Sequence, residues 1–191
     1  MNAIILAGGK ASRMGGKDKA FLKLGRETLI NRQLKALKKK FKKIIIVTNS
    51  PGRHSRIRGV TITPDIVPHL GPLGGVYSGL MISNSFYNFV AACDMPFIDI
   101  NLIEYMHKKS CGYDVIVPKI NNRYEPLFCI YSKNCLKSIK QLLDKKIFKI
   151  RRLFSMVKVR EISKQEILRI TSLEKIFTNI NTMKDLAALK N

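Results

Sequence analysis

Acidic side chains are scarce in this sequence: 13 Asp and Glu stand against 35 Lys and Arg, a formal net charge of +22. Such a balance is one signature of a nucleic-acid or anionic-surface partner. It also has a plainer source, because Lys, Ile and Asn are all abundant. The densest basic run, Lys38-Lys39-Lys40 with Lys42-Lys43, falls at the end of a predicted helix, where cations complement the helix dipole. The basic residues are not interleaved with aromatics as a stacking platform for single strands requires, which argues against nucleic acid. With either source, a positive field attracts anionic substrates.

Cysteine and histidine are few. Cys93, Cys111, Cys129 and Cys135 form no Cys-x-x-Cys pair, and His54, His69 and His107 are scattered, so no zinc site can be read. Cys93 and Cys129 lie in apolar runs, as small core residues do, and a reduced compartment fits. No Ser-His or Cys-His pair suits nucleophilic catalysis. No apolar stretch approaches the length of a membrane span, and the first residues run straight into a strand pattern instead of a signal peptide. A cytoplasmic protein without membrane association is therefore expected. Internal repeats, low-complexity segments and linkers rich in Pro, Gly and Ser are missing as well. The 191 residues, 46% apolar and 25% charged, predict one domain over 1–191, large enough to bury a core without staples.

What the sequence does have is alternation of short apolar runs with helical periodicity. Ala3-Ile4-Ile5, Ile44-Ile45-Ile46-Val47, Val60-Thr61-Ile62, Phe89 to Cys93, Val115-Ile116-Val117 and Leu127 to Tyr131 read as strands. The last two are joined through a polar turn at Asn121-Asn122. Between them, Leu29, Ile30, Leu34, Leu37 and Phe41 trace one helical face, and helices are also predicted from Gly71 to Ile82, across Leu102 to Met106 with Asp99 as cap, over Leu136 to Leu143 and around Ile150 to Phe154. Thr182, with Asp185 three residues on, caps a final short helix. The pattern predicts an α/β fold: a doubly wound, mostly parallel sheet with helices on both faces.

Directly after the first strand the chain reads Leu6-Ala7-Gly8-Gly9-Lys10-Ala11-Ser12-Arg13-Met14-Gly15-Gly16-Lys17-Asp18-Lys19. Paired glycines let the backbone turn sharply and bring N–H groups close to a ligand. Those donors, with Lys10, Arg13, Lys17 and Lys19, suit a polyphosphate. The two common phosphate loops are excluded. A P-loop needs Gly where Ala11 stands and Ser or Thr where Asp18 stands, and no Gly-x-Gly-x-x-Gly occurs.

In open α/β sheets ligands sit beyond the carboxyl ends of the strands. The polar residues predicted at that edge are the 6–19 loop, Asn49, Asp65, the Gly71-Pro72-Leu73-Gly74-Gly75 loop and Asp94. Asp94 ends an apolar strand and precedes Met95-Pro96. A carboxylate there, facing a basic phosphate loop, is a natural ligand for Mg²⁺, which prefers one or two carboxylates plus phosphate oxygens. The plainer role for Asp94 is a solvated strand end or a cap, and for Asn49 and Asp65 it is turn chemistry with their own backbone.

The 6–19 segment resembles the signature loop Leu-Ala-Gly-Gly-x-x-x-Arg-Met-Gly-x-x-Lys of doubly wound nucleotidyltransferases, and in particular that of the molybdenum cofactor guanylyltransferases, which join GMP from GTP to molybdopterin. Cys93-Asp94-Met95-Pro96-Phe97, Pro64-Asp65, the 71–75 loop, Asn179-Ile180-Asn181-Thr182 and, more loosely, Tyr124 to Phe128 are similar to further motifs of that family, in order from Leu6 to Asp185. One departure is Gly74, where the family pattern usually carries Ala. The segment from Asp144 to Leu173 matches no named pattern. The resemblance implies GTP and molybdopterin as substrates, Mg²⁺ as cofactor, and proteins that hand on or receive the cofactor as partners. It implies nucleotide contacts from Leu6, Ala7, Gly8, Gly9, Lys19, Asn49, Asp65, Asp94 and Asn181. Asp94 would be the metal ligand, and Arg13 and Lys19 would stabilise the departing pyrophosphate. Sister enzymes that transfer CMP read Leu-Ala-Ala-Gly at the loop start, and sugar-phosphate nucleotidyltransferases continue with Gly-Thr-Arg-Leu. Leu6-Ala7-Gly8-Gly9 favours GTP.

Overall fold

The computed structural model describes residues 1–8, 18–66, 70–180 and 182–189. In chain order the elements are β1 (Asn2–Leu6), β2 (Lys23–Leu24), β3 (Glu27–Thr28), α1 (Leu29–Leu37), β4 (Ile44–Thr48), α2 (Pro51–His54), β5 (Thr61–Pro64), α3 (Gly71–Ile82), β6 (Tyr87–Ala92), α4 (Ile100–Lys108), β7 (Val115–Ile120), β8 (Arg123–Tyr124), β9 (Phe128–Ser132), α5 (Cys135–Asp144), β10 (Val159–Ser163), α6 (Lys164–Leu168), α7 (Leu173–Ile176) and α8 (Met183–Ala188). Short 3₁₀ turns cover Lys19–Phe21 and Ile150–Ser155.

The main sheet runs β10-β7-β9-β6-β1-β4-β5, with β8 paired to β7. β1 is parallel to both β4 and β6, β4 to β5, and β7 to β10, whereas β9 runs antiparallel between β6 and β7. Every residue of β1, β4 and β9 is buried, as unbroken apolar runs require when both sheet faces are covered. Alternate residues feed two cores. Ala3, Ile5, Ile46, Phe89 and Phe128 face α1 and α4, while Ile4, Leu6, Val47, Val90 and Tyr131 face α3 and α5.

The α3–β1 contact is unusually close. A Cβ on Gly79 would lie 2.6 Å from Ile4 Cγ2, and one on Gly75 would lie 3.2 Å from Leu6 Cδ2. The small residues of α3 thus let its first turn reach the carboxyl edge of β1. The predicted helix to Phe41 ends instead at Leu37, so the lysine run occupies the turn that follows. There Lys38 Nζ donates to the Arg58 carbonyl and Lys40 pairs with Glu104 at 2.6 Å. The helix predicted around Ile150 is a 3₁₀ turn. Asn121 and Asn122 have φ of 48° and 59°, and they form the two-residue β7–β8 turn that such conformations favour. Among the described residues, no helix is long and apolar enough to cross a membrane.

Candidate active site

The strand order reverses beside β1: the chain steps outward through β4 and β5, then returns to place β6 on the other flank. The crevice at such a switch point is where open α/β sheets hold ligands. The ends of β1 and β6 border it, and the Cys93 N–H donates to the Leu6 carbonyl at 3.0 Å.

Leu6 and Ala7 are buried at the start of the glycine loop. The Ala7 N–H donates to the Val47 carbonyl at 2.8 Å, and Thr48 Oγ1 donates to the Ala7 carbonyl at 3.3 Å. Gly8 passes so near Asn49 that a Cβ would come within 3.2 Å of Asn49 Nδ2. Leu6, Ala7, Gly8 and Asn49 therefore share one corner of the crevice. Gly9 and Arg13, like Lys10 and Lys17, lie outside the described residues, as does Asn181.

Lys19 returns the chain to the site. Its Nζ lies 3.3 Å from Asp94 Oδ2, with both side chains partly exposed. Asp18 caps this turn by accepting from the Ala20 N–H at 3.0 Å. The Asp94 carbonyl accepts from the Ile180 N–H at 2.9 Å, which docks the C-terminal segment on the same turn. Asp65 sits across the crevice, where its Oδ1 accepts from Ser78 Oγ at 2.7 Å.

Three supporting residues emerge only from the structure. Gln33 of α1 is fully buried, and its amide donates to the carbonyls of Ala92 and Met95 at 2.7 and 2.6 Å. It thereby grips both sides of the Asp94 turn. Two carbonyls facing one amide group require its nitrogen there, which fixes the amide orientation. Ser78 ties Asp65 to α3 and also accepts from the Ile66 N–H at 2.9 Å. His54 is fully buried between the Ser50 carbonyl, 3.2 Å from Nδ1, and Asp18, whose Oδ2 is 3.8 Å from Nε2. Its ring packs on Phe21 with centroids 4.9 Å apart, which sets the segment after Asn49 against the turn that carries Lys19. A polar residue on an otherwise apolar helical face was the available signal for Gln33; Ser78 and His54 carried no such signal.

Burial pushes the Cys93 thiol well above its usual range, and the neighbouring Asp94 charge adds to the shift, so Cys93 is not a thiolate nucleophile. Among the described residues no group of three His, Cys, Asp or Glu side chains could hold a metal. A protein cage of zinc type is thus not formed by them. The single Asp94 carboxylate suits a hard cation that draws most of its ligands from phosphate and water.

Comparison with known proteins bears on the family and the fold. The MobA-like NTP transferase domain matches residues 3–162. A probable molybdenum cofactor guanylyltransferase of Pelotomaculum thermopropionicum is 37% identical over 183 residues, covering 96% of this chain and 88% of the relative. Another, from Clostridium perfringens, is 38% identical over 193 residues, covering 96% and 93%. Among solved structures, molybdopterin-guanine dinucleotide biosynthesis protein A from Archaeoglobus fulgidus superposes with a TM-score of 0.86 at 23% identity over 100% of this chain and 97% of that one. The 2-C-methyl-D-erythritol 4-phosphate cytidylyltransferase of Thermus thermophilus gives 0.73 at 15% identity, over 99% and 95%. These structural likenesses concern the fold.

Proposed function

The chain belongs to the MobA-like NTP transferase family, and from that membership we propose that it transfers the guanylyl group of GTP to the terminal phosphate of molybdopterin. The observation that carries this reading is the 37–38% identity, over nearly the full length of both chains, to relatives named as guanylyltransferases of the molybdenum cofactor. A phosphate oxygen of molybdopterin attacks the α-phosphorus of GTP, the α–β P–O bond breaks, and its electron pair leaves with pyrophosphate. The nucleophile is already an anion at neutral pH, so no general base is needed. The site's task is to let two anions approach, which is a matter of placed charge.

On this reading the Leu6–Gly8 backbone and Asn49 border the nucleotide, and Asp65 faces it from the turn after β5. Lys19, with Arg13 from the loop, neutralises the leaving pyrophosphate. Asp94 would hold Mg²⁺, which when bound supplies charge neutralisation at the phosphate oxygens. The Lys19–Asp94 pair keeps both side chains at the crevice in the free protein, which lowers the cost of organising them around substrate. All four cysteines are free thiols, which fits a reducing, cytoplasmic setting.

Thermal shifts with GTP, CTP, ATP and UTP in the presence of Mg²⁺ test the assignment, because a ligand that prefers the native state raises apparent stability. GTP should raise the melting temperature most. Equal shifts with GTP and CTP would remove the guanylyl specificity while leaving a nucleotidyltransferase.

A further inference from the structure

Beyond the Asp94 turn, on the β7 side of the same sheet edge, lies a cavity of about 610 Å³. Glu125, Arg123, Lys164 and Asn121 line it, with Leu173 and Phe177 forming its apolar wall. Glu125 follows the β8 strand and is half-buried, and among the described residues its carboxylate oxygens are not sealed in the core but stay open to the cavity. Burial raises its pKa from the ordinary carboxylate value, with the Arg151 charge opposing the shift. A carboxylate that is partly dehydrated yet open to a cavity can take its donors from a ligand.

Two strand-edge contacts join this cavity to the proposed site of transfer. The Leu127 carbonyl, two residues after Glu125, accepts from the Ala92 N–H at 3.1 Å. Ile180, three residues after Phe177, donates its N–H to the Asp94 carbonyl, and the Phe177 ring packs edge-on against Phe128 with centroids 5.5 Å apart. The Asp94 turn therefore stands between this cavity and the Leu6–Gly8 and Asn49 corner.

Resting on the guanylyl-transfer reading, we propose that the cavity seats the pterin of the acceptor substrate, with Glu125 accepting the paired N–H donors of its aminopyrimidinone edge. The ring amide N–H and the adjacent amino group lie side by side, matching the two oxygens of one carboxylate. Phe177 and Leu173 offer the flat ring an apolar wall, and Arg123 and Lys164 complement the anionic groups it carries. Guanine presents the same donor edge. It is assigned to the far corner because Asn49 and the Leu6–Gly8 backbone, which border the nucleotide on the transfer reading, lie across β6 from Glu125.

The test compares wild type with Glu125→Gln, which keeps the shape but replaces one acceptor with a donor. Binding of a fluorescent hydroxymethylpterin and of GTP are titrated separately, alongside the melting temperature and steady-state kinetics. Glu125→Gln should weaken pterin binding and raise KM for molybdopterin by about tenfold to a hundredfold. GTP affinity and kcat should stay within about threefold, and the melting temperature should stay within a few degrees of wild type, because the half-buried side chain keeps its shape. Unchanged pterin binding with GTP binding intact would overturn this subsite and leave guanylyl transfer standing. A parallel loss of GTP affinity would show that Glu125 reads guanine instead. A wild-type protein that binds pterin but not GTP would sink the transferase reading and this subsite's place in it.

Discussion

Asp94 is offered to the crevice by its backbone, so its carboxylate and its structural role can be separated. The turn is held by main-chain atoms: Gln33 grips the Ala92 and Met95 carbonyls, and the Asp94 carbonyl takes the Ile180 N–H. The carboxylate itself has Lys19 as its described side-chain partner, and a partly exposed pair of this kind contributes only about 0–1 kcal/mol. Asp94→Asn should therefore fold normally, with a melting temperature within a few degrees of wild type. As the proposed Mg²⁺ ligand it should lose guanylyl transfer by roughly a hundredfold or more, with a weaker dependence on Mg²⁺ concentration. Turnover near the wild-type rate at millimolar Mg²⁺ would defeat the assignment and make Asp65 the next carboxylate to test.

At the scale of elements, the position of the crevice depends on how closely α3 lies on β1. The Cβ of Gly79→Ala would overlap Ile4 Cγ2 at 2.6 Å in a fully buried layer. Overpacking costs about 1–3 kcal/mol, and the better helix propensity of Ala returns up to about 1 kcal/mol. A net loss of about 1–2 kcal/mol corresponds to a melting temperature lower by roughly 2–8 °C in a chain of this size. Gly75→Ala, at 3.2 Å from the mobile end of Leu6, should be milder. Calorimetry that found Gly79→Ala as stable as wild type would mean that the helix can ride outward at no cost.

Elements of this kind differ in how far sequence alone reveals them. Strands buried on both faces announce themselves as unbroken apolar runs, and β1, β4, β6 and the antiparallel β9 were legible for that reason. β10 was not. Its centre carries Arg160 and Glu161, whose charges are compensated by Glu166 at 2.8 Å and by Lys119 at 2.9 Å. Lys119 is distant in sequence, so no local pattern reveals it. The helix after β10 could have been read from Ser163 and Glu166, which form a capping box. The site divides similarly. Asp94, Lys19 and Asn49 stand at strand ends or in a motif, whereas the grip of Gln33 depends on carbonyls 59 and 62 residues away.

The charge of the whole molecule poses a question of distance. The lysine run at 38–43 precedes β4, whose C-terminal end meets the crevice, so the run lies at the opposite edge of the sheet. Five strand residues span about 17 Å, roughly twice the Debye length at physiological ionic strength. At that separation the run should be screened from the substrate, while Lys19, Arg123 and Lys164 act locally. A Lys39→Gln, Lys42→Gln, Lys43→Gln triple variant removes three of those charges and spares Lys38 and Lys40, which bond to Arg58 and Glu104. At an ionic strength of about 0.15 M its kcat/KM for GTP should stay within roughly twofold of wild type. Lowering the salt to about 0.01 M extends the screening length to about 30 Å, and there the variant should fall behind. A tenfold loss already at 0.15 M would mean that the run acts on the substrate at short range, and the placement of the site at the carboxyl edge of β1 and β6 would have to be revised.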